Sequence, residues 1–381
     1  MEMDSNTSET KPVSLAEKIE QLRAVGLPSP SLVDALNDLA YEIQEVNRQQ
    51  SLSLSKEAIS LAALLKHSEG EARAHKQAGW LHLREGQLDI ALSHGLRSQA
   101  LAQITGNVNL ACGALYVCAS VHQRANNISF ALRDWFKLLH IAMQASDQVY
   151  EANAYSALGI LYREQKDYQE ALDCYRQALR RYLALESPHE VSTLNNIAYV
   201  YARMNDGINA LVYARMALDK CPPDWPAWRA NILDTLGRAC LTNGDTRIAL
   251  AQFECGIKLY QMARITGQVH ADSVIATLYQ SAALALRKLG QLDQAAIKLD
   301  QALVEAERAN DQPLQVEIHQ DTASLMTLLG ALEMARHHQA KASALSFKLE
   351  HAQVVLRERV LKVFRTERNY FGLALGRGQA G

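Results

Sequence analysis

Residues 155–178 read YSALGILYREQKDYQEALDCYRQA. Tyr155 is followed by Leu158-Gly159 and Tyr162, and after a polar break come Ala171, Tyr175 and Ala178. Steps of three and four place these residues on one face of a helix on either side of the break. Asp167 opens the second helix with Glu170 three residues on, a capping-box spacing. The large residues can fill the gap between the two helices. The small ones, Gly159 on the first and Ala171 and Ala178 on the second, let the backbones approach. The segment therefore predicts a helix hairpin.

The same frame recurs outward in both directions. It fits Ala78-Gly79, Ala91 and Ser98; Ile197-Ala198, Tyr201, Ala210, Ala217 and Pro222; and Leu236-Gly237, Ala249 and Phe253. Weaker copies pair Ala119 with Ala131, Ala283 with Ala295 and Ala302, and Ala323 with Ala335 and Ala342. The alanine opening each second helix falls at 91, 131, 171, 210, 249, 295 and 335, in steps of 40, 40, 39, 39, 46 and 40. The step of 46 marks an insertion around 261–272. Gly86, Gly244, Gly290 and Gly330 fall at hairpin turns, and Ser187-Pro188-His189-Glu190 reads as a capping box with Pro at the first helical position. One hairpin cannot bury its apolar faces alone, so neighbouring copies must stack.

This pattern resembles the tetratricopeptide repeat (TPR), W-x2-L-G-x2-Y followed by A-x3-F-x2-A, with a repeat near 40 residues in place of 34. Ala78 departs from it where the family prefers Leu. The resemblance extends over about residues 34–350 and is sharpest at 155–260. It implies an all-α fold, a right-handed solenoid of antiparallel helix hairpins. The expected organisation is a disordered tail over 1–13, capping helices and a degenerate repeat over 14–68, about seven repeats over 69–346, a capping helix over 347–369 and a flexible tail over 370–381. Within the N-terminal part, helices are expected at about 15–25 and 31–47.

Composition agrees with a helical array. The 381 residues are 48% hydrophobic, enough for a substantial core, with only 19 Gly and 8 Pro; an all-β chain needs more of both for its turns. Lys+Arg 39 against Asp+Glu 41 leaves a net charge of -2, so no overall basic field favours nucleic acid. Six Cys without a C-x-x-C pair make neither a disulfide framework nor a metal site; most fall in apolar helical patterns, as small buried hydrophobes do. The N-terminus is acidic and polar, unlike a secretory signal. The longest apolar run, residues 110–121, falls short of the ~20 residues of a membrane helix. A cytoplasmic protein is expected.

Catalytic chemistry finds no foothold. The sequence holds no Walker loop, G-x-G-x-x-G, H-E-x-x-H or G-x-S-x-G, and no cofactor or metal site is predicted. The one adjacent histidine pair, His337-His338, diverges by about 100° on a helix and is read as solvated. The expected working surface is the concave groove that, by the resemblance, the first helices line. Its candidates are Arg73, Lys76 and Trp80; Tyr116 and Ser120; Asn153, Ser156 and Arg163; Ser192, Asn195, Asn196 and Tyr199; Asn231, Asp234 and Arg238; Gln280 and Arg287. Asn can clamp a peptide backbone with donor and acceptor together, and Arg can hold a carboxylate bidentately.

Arg84, Arg124, Arg163, Arg203 and Arg287-Lys288 recur at the ends of first helices. They make either a basic edge or simple complements to the helix dipole. The carboxylate clamp by which some TPR proteins hold chaperone tails is matched only by isolated members, Lys76 and Asn196. Apolar and basic residues interleave from Val354 to Arg368 in a helix expected to cover the last repeat, and Trp225 and Trp228 are expected to pack against a neighbouring hairpin.

Repeats of this length resemble those of bacterial signalling proteins, where they serve as sensory modules ahead of output domains or as peptide receptors of the Rap type. The reading is a non-enzymatic protein- or peptide-binding scaffold with a sensory or adaptor role. A nucleic-acid-binding repeat protein and a phosphatase-like regulator acting on a partner remain the alternatives; homo-oligomerisation stays open.

Overall fold

The alanine interval of about 40 residues is the length of one hairpin. The computed structural model describes residues 14–268 and 273–377, with side chains through 367. The tail expected over 1–13 lies outside the described residues, as do 269–272 of the expected insertion and 378–381 of the expected C-terminal tail. All elements among the described residues are helices. A lead helix α1 (Leu15–Ala24) precedes the hairpin α2 (Pro30–Ile43) and α3 (Arg48–Leu65). Then follow α4 (Ser68–Arg84) with α5 (Leu88–Thr105), α6 (Val108–Arg124) with α7 (Ile128–Gln144), and α8 (Gln148–Glu164) with α9 (Tyr168–Ala184). Next come α10 (His189–Arg203) with α11 (Gly207–Lys220), α12 (Pro226–Thr242) with α13 (Thr246–Ile265), and α14 (Val274–Lys288) with α15 (Leu292–Arg308). The chain ends in α16 (Gln312–Leu328) and α17 (Leu332–Arg377).

The close approach read from small residues is present at the glycines. A methyl group added at Gly159 would stand 2.7 Å from the Tyr175 ring, and one at Gly237 would stand 2.3 Å from Phe253. Each of these two glycines thus receives the aromatic sixteen residues later on the second helix. Tyr175 and Phe253 are fully buried, each removing enough apolar area to favour the hairpin by roughly 1.5–3 kcal/mol.

The turns work as expected where glycine stands: Gly86 and Gly244 have φ of +77° and +87°, a left-handed conformation that costs glycine nothing. Other hairpins place Asn126, Lys166 or Asn205 there, also at positive φ. The two capping boxes expected at Asp167 and Ser187 do not form. Asp167 makes no side-chain cap to α9. At α10 the cap position is Pro188, without a side-chain bond, and Glu190 pairs instead with Lys220 on α11 at 2.9 Å. A salt bridge to the next helix has taken the carboxylate that a capping box would use.

The chain divides into two compact units, the first running to Ser146 and resuming at Leu356, the second comprising Asp147–Val355. The first unit packs α2, α3 and α4 around Leu36, Ala40, Ala58 and Ala74. The core of the second is largest around Phe253, Tyr260, Leu278 and Leu299. There Trp225 packs beside Val191, Leu194 and Ile232 as expected, while Trp228 stays 43% exposed. Four of the six cysteines are buried, Cys174 is half-buried and Cys255 is exposed.

The C-terminal segment departs from expectation in two ways. Residues 347–369 are no separate helix but the continuation of α17, which is unbroken from Leu332 and stays helical to Arg377. Between Leu356 and Glu367, α17 packs on the two hairpins α4–α7 rather than on the last repeat. Val360 is fully buried with Leu83, Leu88, Leu92 and Val121, and Leu356, Val363 and Phe364 pack beside it. Arg359 pairs with Asp89, and Glu367 accepts from Ser93 at 2.7 Å. Phe364 meets His122 and Phe130 edge-on, at 5.6 and 5.3 Å between centroids. An apolar stripe at steps of four, three and one states that a face is buried, not which surface buries it.

Candidate functional site

In the first unit several groove candidates are engaged by neighbouring side chains. Trp80 meets Tyr116 at a tilt and Tyr116 meets Trp135 edge-on, with centroids 5.7 and 5.3 Å apart. Arg73 pairs with Asp38 at 2.5 Å. Burial, with Arg73 nearby, lowers the pKa of Lys76. Arg84 pairs with Glu45 at 3.2 Å and lies over Trp80. Arg124 donates to the Leu83 carbonyl at 2.7 Å, at the end of α4, where Gly86 N–H donates to the same oxygen at 3.1 Å. Here the recurrent arginines serve helix ends and neighbouring acids.

In the second unit the first helices α8, α10, α12, α14 and α16 line one cavity of about 510 Å³. Helical spacing aims one face of each helix inward: Asn195, Asn196, Tyr199 and Arg203 from α10; Asn231, Asp234, Thr235 and Arg238 from α12; Thr277, Gln280, Ser281 and Leu284 from α14. Arg163 enters from α8, and Leu314, Glu317 and Asp321 from α16. The candidates brought together are therefore Arg163, Asn195, Asn196, Tyr199, Asn231, Asp234, Arg238 and Gln280. Arg287 lines a smaller adjoining cavity with Gln280 and Asp321 and donates to Ser324 at 3.4 Å. Asn153 accepts from Tyr182 at 2.8 Å and, with Ser156 and Ser192, does not line the cavity; nor do Lys76, Trp80 and Tyr116.

The cavity is held by short contacts. Arg238 donates from Nε to Asp234 Oδ2 and from Nη2 to Ser281 Oγ, each at 2.7 Å. Burial opposes the charge of Arg238, but the Asp234 carboxylate outweighs it and the guanidinium pKa rises. Arg163 lies over the Tyr199 ring at 5.5 Å, a cation–π contact. A hydrogen bond to Tyr168, with Tyr199 nearby, raises the pKa of Arg203. Gln280 donates to Asp321 at 2.7 Å. Two oxygens in the lining, Asn195 Oδ1 and Asp234 Oδ1, are buried without a hydrogen-bond partner.

The acids of α16 were not among the sequence candidates. Their repeat carries only the weak Ala323–Ala335 signature, but steps of three and four from Leu314 through Glu317 to Asp321 give the inward face once the helix is registered. A second missed feature is a pair of histidine pairs. His75 and His94 meet Nδ1 to Nδ1 at 2.8 Å, and His319 and His338 at 2.9 Å. Both pairs join residues nineteen apart at the same place in a hairpin. His338 is thus half-buried against α16, contrary to the solvated reading, while His337 is exposed. Burial, with the charge of the partner ring, holds His75 at about 3 and His319 at about 4. Among the described residues, no group of three or more His, Cys, Asp or Glu converges as metal ligands, and no helix is long and apolar enough to cross a membrane.

A sequence profile of the tetratricopeptide repeat matches residues 112–184. No curated protein sequence matches the chain. Among solved structures, the apo form of the quorum sensor NprR from B. thuringiensis is similar, at 14% identity and TM-score 0.66, over 86% of this chain and 92% of that one. The Rap conjugation gene regulator of plasmid pLS20, in complex with the Phr* peptide, is similar at 14% identity and TM-score 0.56, over 89% of this chain and 94% of that one. A Signal Transduction ATPase with Numerous Domains from Pyrococcus horikoshii, bearing a tetratricopeptide repeat sensor, is similar at 14% identity and TM-score 0.60. That match covers 92% of this chain and 52% of the larger protein. At such identity the likeness is one of fold. With the repeat profile, the alanine interval and the glycine–aromatic contacts, it makes this chain an all-α tetratricopeptide-type array of stacked helix hairpins.

Proposed function

We propose that the chain binds a peptide or an extended protein segment in the cavity of its second unit, and acts through that binding as a sensory or adaptor module without chemistry of its own. The observation that carries the reading is the lining itself: amides and hydroxyls from successive first helices, with Asn195 Oδ1 and Asp234 Oδ1 buried and unpartnered. A buried acceptor left without a donor costs about 1–3 kcal/mol, which a ligand N–H recovers when the side chain turns its oxygen into the cavity. A peptide main chain supplies N–H and C=O together and so matches both halves of the asparagine amides. A nucleic-acid backbone offers phosphate acceptors and would leave the two oxygens unmatched. The fold likeness to a quorum sensor and to a Rap regulator solved with a peptide supports the same reading. The six free cysteines fit a reducing, cytoplasmic setting.

The test is fluorescence anisotropy of the full chain against a labelled random peptide library, followed by Asn195→Ala, Asn196→Ala and Arg163→Ala. Each substitution is expected to weaken binding tenfold or more. Full affinity in all three variants would put the interface elsewhere.

A further inference from the structure

The charges in the cavity are sorted along the row of helices. Its charged side chains are Arg163 on α8, Arg203 on α10, Asp234 and Arg238 on α12, and Glu317 and Asp321 on α16. Asp234 and Arg238 neutralise each other in the middle at 2.7 Å. What remains is two guanidiniums on the α8–α10 side and two carboxylates on the α16 side. Between them the lining is uncharged, supplied by Asn195, Asn231, Thr235, Thr277 and Ser281.

The cationic side is incompletely matched by protein anions. The ion pair of Arg163 is a distant one, 3.9 Å to the adjacent Glu164, and its other contact is the Tyr199 face. Arg203 is exposed and has a phenol for its hydrogen-bond partner. On the anionic side Glu317 is exposed, and Asp321 receives a neutral amide from Gln280. Arg287, the cation of the adjoining small cavity, donates to Ser324.

Building on the peptide-binding reading, we infer that the cavity selects a dipolar peptide, holding a carboxylate at Arg163 and Arg203 and a cationic group at Glu317 and Asp321, with the main chain across the amides between. Guanidinium forks recognise carboxylates bidentately. The opposite orientation would set like charges together at both ends, which disfavours it strongly in a partly desolvated cavity. Five first helices at roughly 9 Å spacing span about 36 Å at most, about ten extended residues at ~3.4 Å each. The carboxylate can be a peptide C-terminus or an Asp or Glu side chain, and the cation an N-terminus or a Lys or Arg.

The experiment incubates the full-length protein with a random decapeptide library in four arms: free ends, amidated C-terminus, acetylated N-terminus, and both blocked. Bound peptides are then sequenced. Bound sequences are expected to carry an acidic group towards one end and a basic group towards the other. The arms tell the sources apart: loss in the amidated arm assigns the carboxylate to the C-terminus, and retention with enriched Asp or Glu assigns it to a side chain. Arg163→Glu with Arg203→Glu should weaken the selected peptides at least tenfold, and Glu317→Lys with Asp321→Lys should do the same. Combining all four substitutions should restore binding to peptides of reversed polarity. Binding that depends on Asn195 and Asn196 but ignores peptide charge overturns this inference and leaves the peptide groove standing. No binding in any arm, or preference for an oligonucleotide control, overturns both.

Discussion

The first helices of the two units carry similar side chains and put them to different ends. In the first unit Trp80 and Tyr116 pack on each other and on Trp135 of the second helix α7, and Glu45 and a backbone carbonyl take up Arg84 and Arg124. In the second unit Asn195, Asn196, Tyr199 and Arg203 line an open cavity, and Asn195 keeps an unmatched oxygen. Two rows drawn from the same repeat frame thus differ in what their side chains face: the arginines of the first are taken up by the protein itself, and the polar groups of the second line a cavity. Arginines matched within the protein contribute to stability; side chains that line a cavity have interactions left to give a ligand.

The largest effects should appear where each unit buries its aromatics. Phe253→Ala in the second unit and Trp135→Ala in the first should each cost about 3–5 kcal/mol in urea unfolding, through lost burial and the cavity left behind. Trp135→Ala should leave peptide affinity in the second unit unchanged; a parallel loss of affinity would break the contrast between the rows.

Next in size are the ion pairs. Arg238→Met strands Asp234, whose side chain is 9% exposed, and should cost about 2–3 kcal/mol. Arg84→Met frees Glu45, whose side chain is 60% exposed, and should cost under about 1 kcal/mol. Equal costs would show that the two arginines sit in similar environments after all.

The histidine pairs sharpen the comparison through pH. Burial, first among the causes, keeps His75 at about 3 and His94 at about 4, and His319 at about 4 with His338 also lowered. An unfolded histidine takes up its proton near 6.5. The unfolded chain therefore binds more protons than the native one below that value, and stability falls as pH drops from about 6.5 towards 4. His94→Gln and His338→Gln should each flatten that slope in pH-dependent thermal unfolding, His94→Gln more, because its partner His75 is the more depressed. An unchanged slope would mean that these rings take up protons alike in the folded and unfolded chain.

The smallest stability effect is expected for Arg163→Ala, within about 0.5 kcal/mol, since its contacts are a ring face and a distant carboxylate. A drop above 2 kcal/mol would make it a structural residue, like the arginines of the first unit.

Much of this was written in periodicity. The alanine interval and the glycine–aromatic spacing required hairpins that stack, because only a small residue admits a backbone or ring at contact distance, and no other register buries those faces. The same register placed Asn195, Asn196, Tyr199, Asp234 and Arg238 on one side of their helices. Glu317 and Asp321 escaped because their repeat lacks the large and small markers that fix the register. The histidine pairs escaped because each partner lies on a different helix, and neither segment shows a metal-like spacing.

What the sequence determined by itself is therefore local and periodic: helix, turn, hairpin, and which face of each helix is buried. Only the tertiary structure decided what each face meets. It sent the apolar stripe of α17 to α4–α7 and not to the last repeat. It let Glu45 and a backbone carbonyl take up the arginines of one row, and left Arg163 and Arg203 in the other facing a cavity. Burial is encoded by the residue type, but the identity of the partner depends on which surfaces distant parts of the chain bring together.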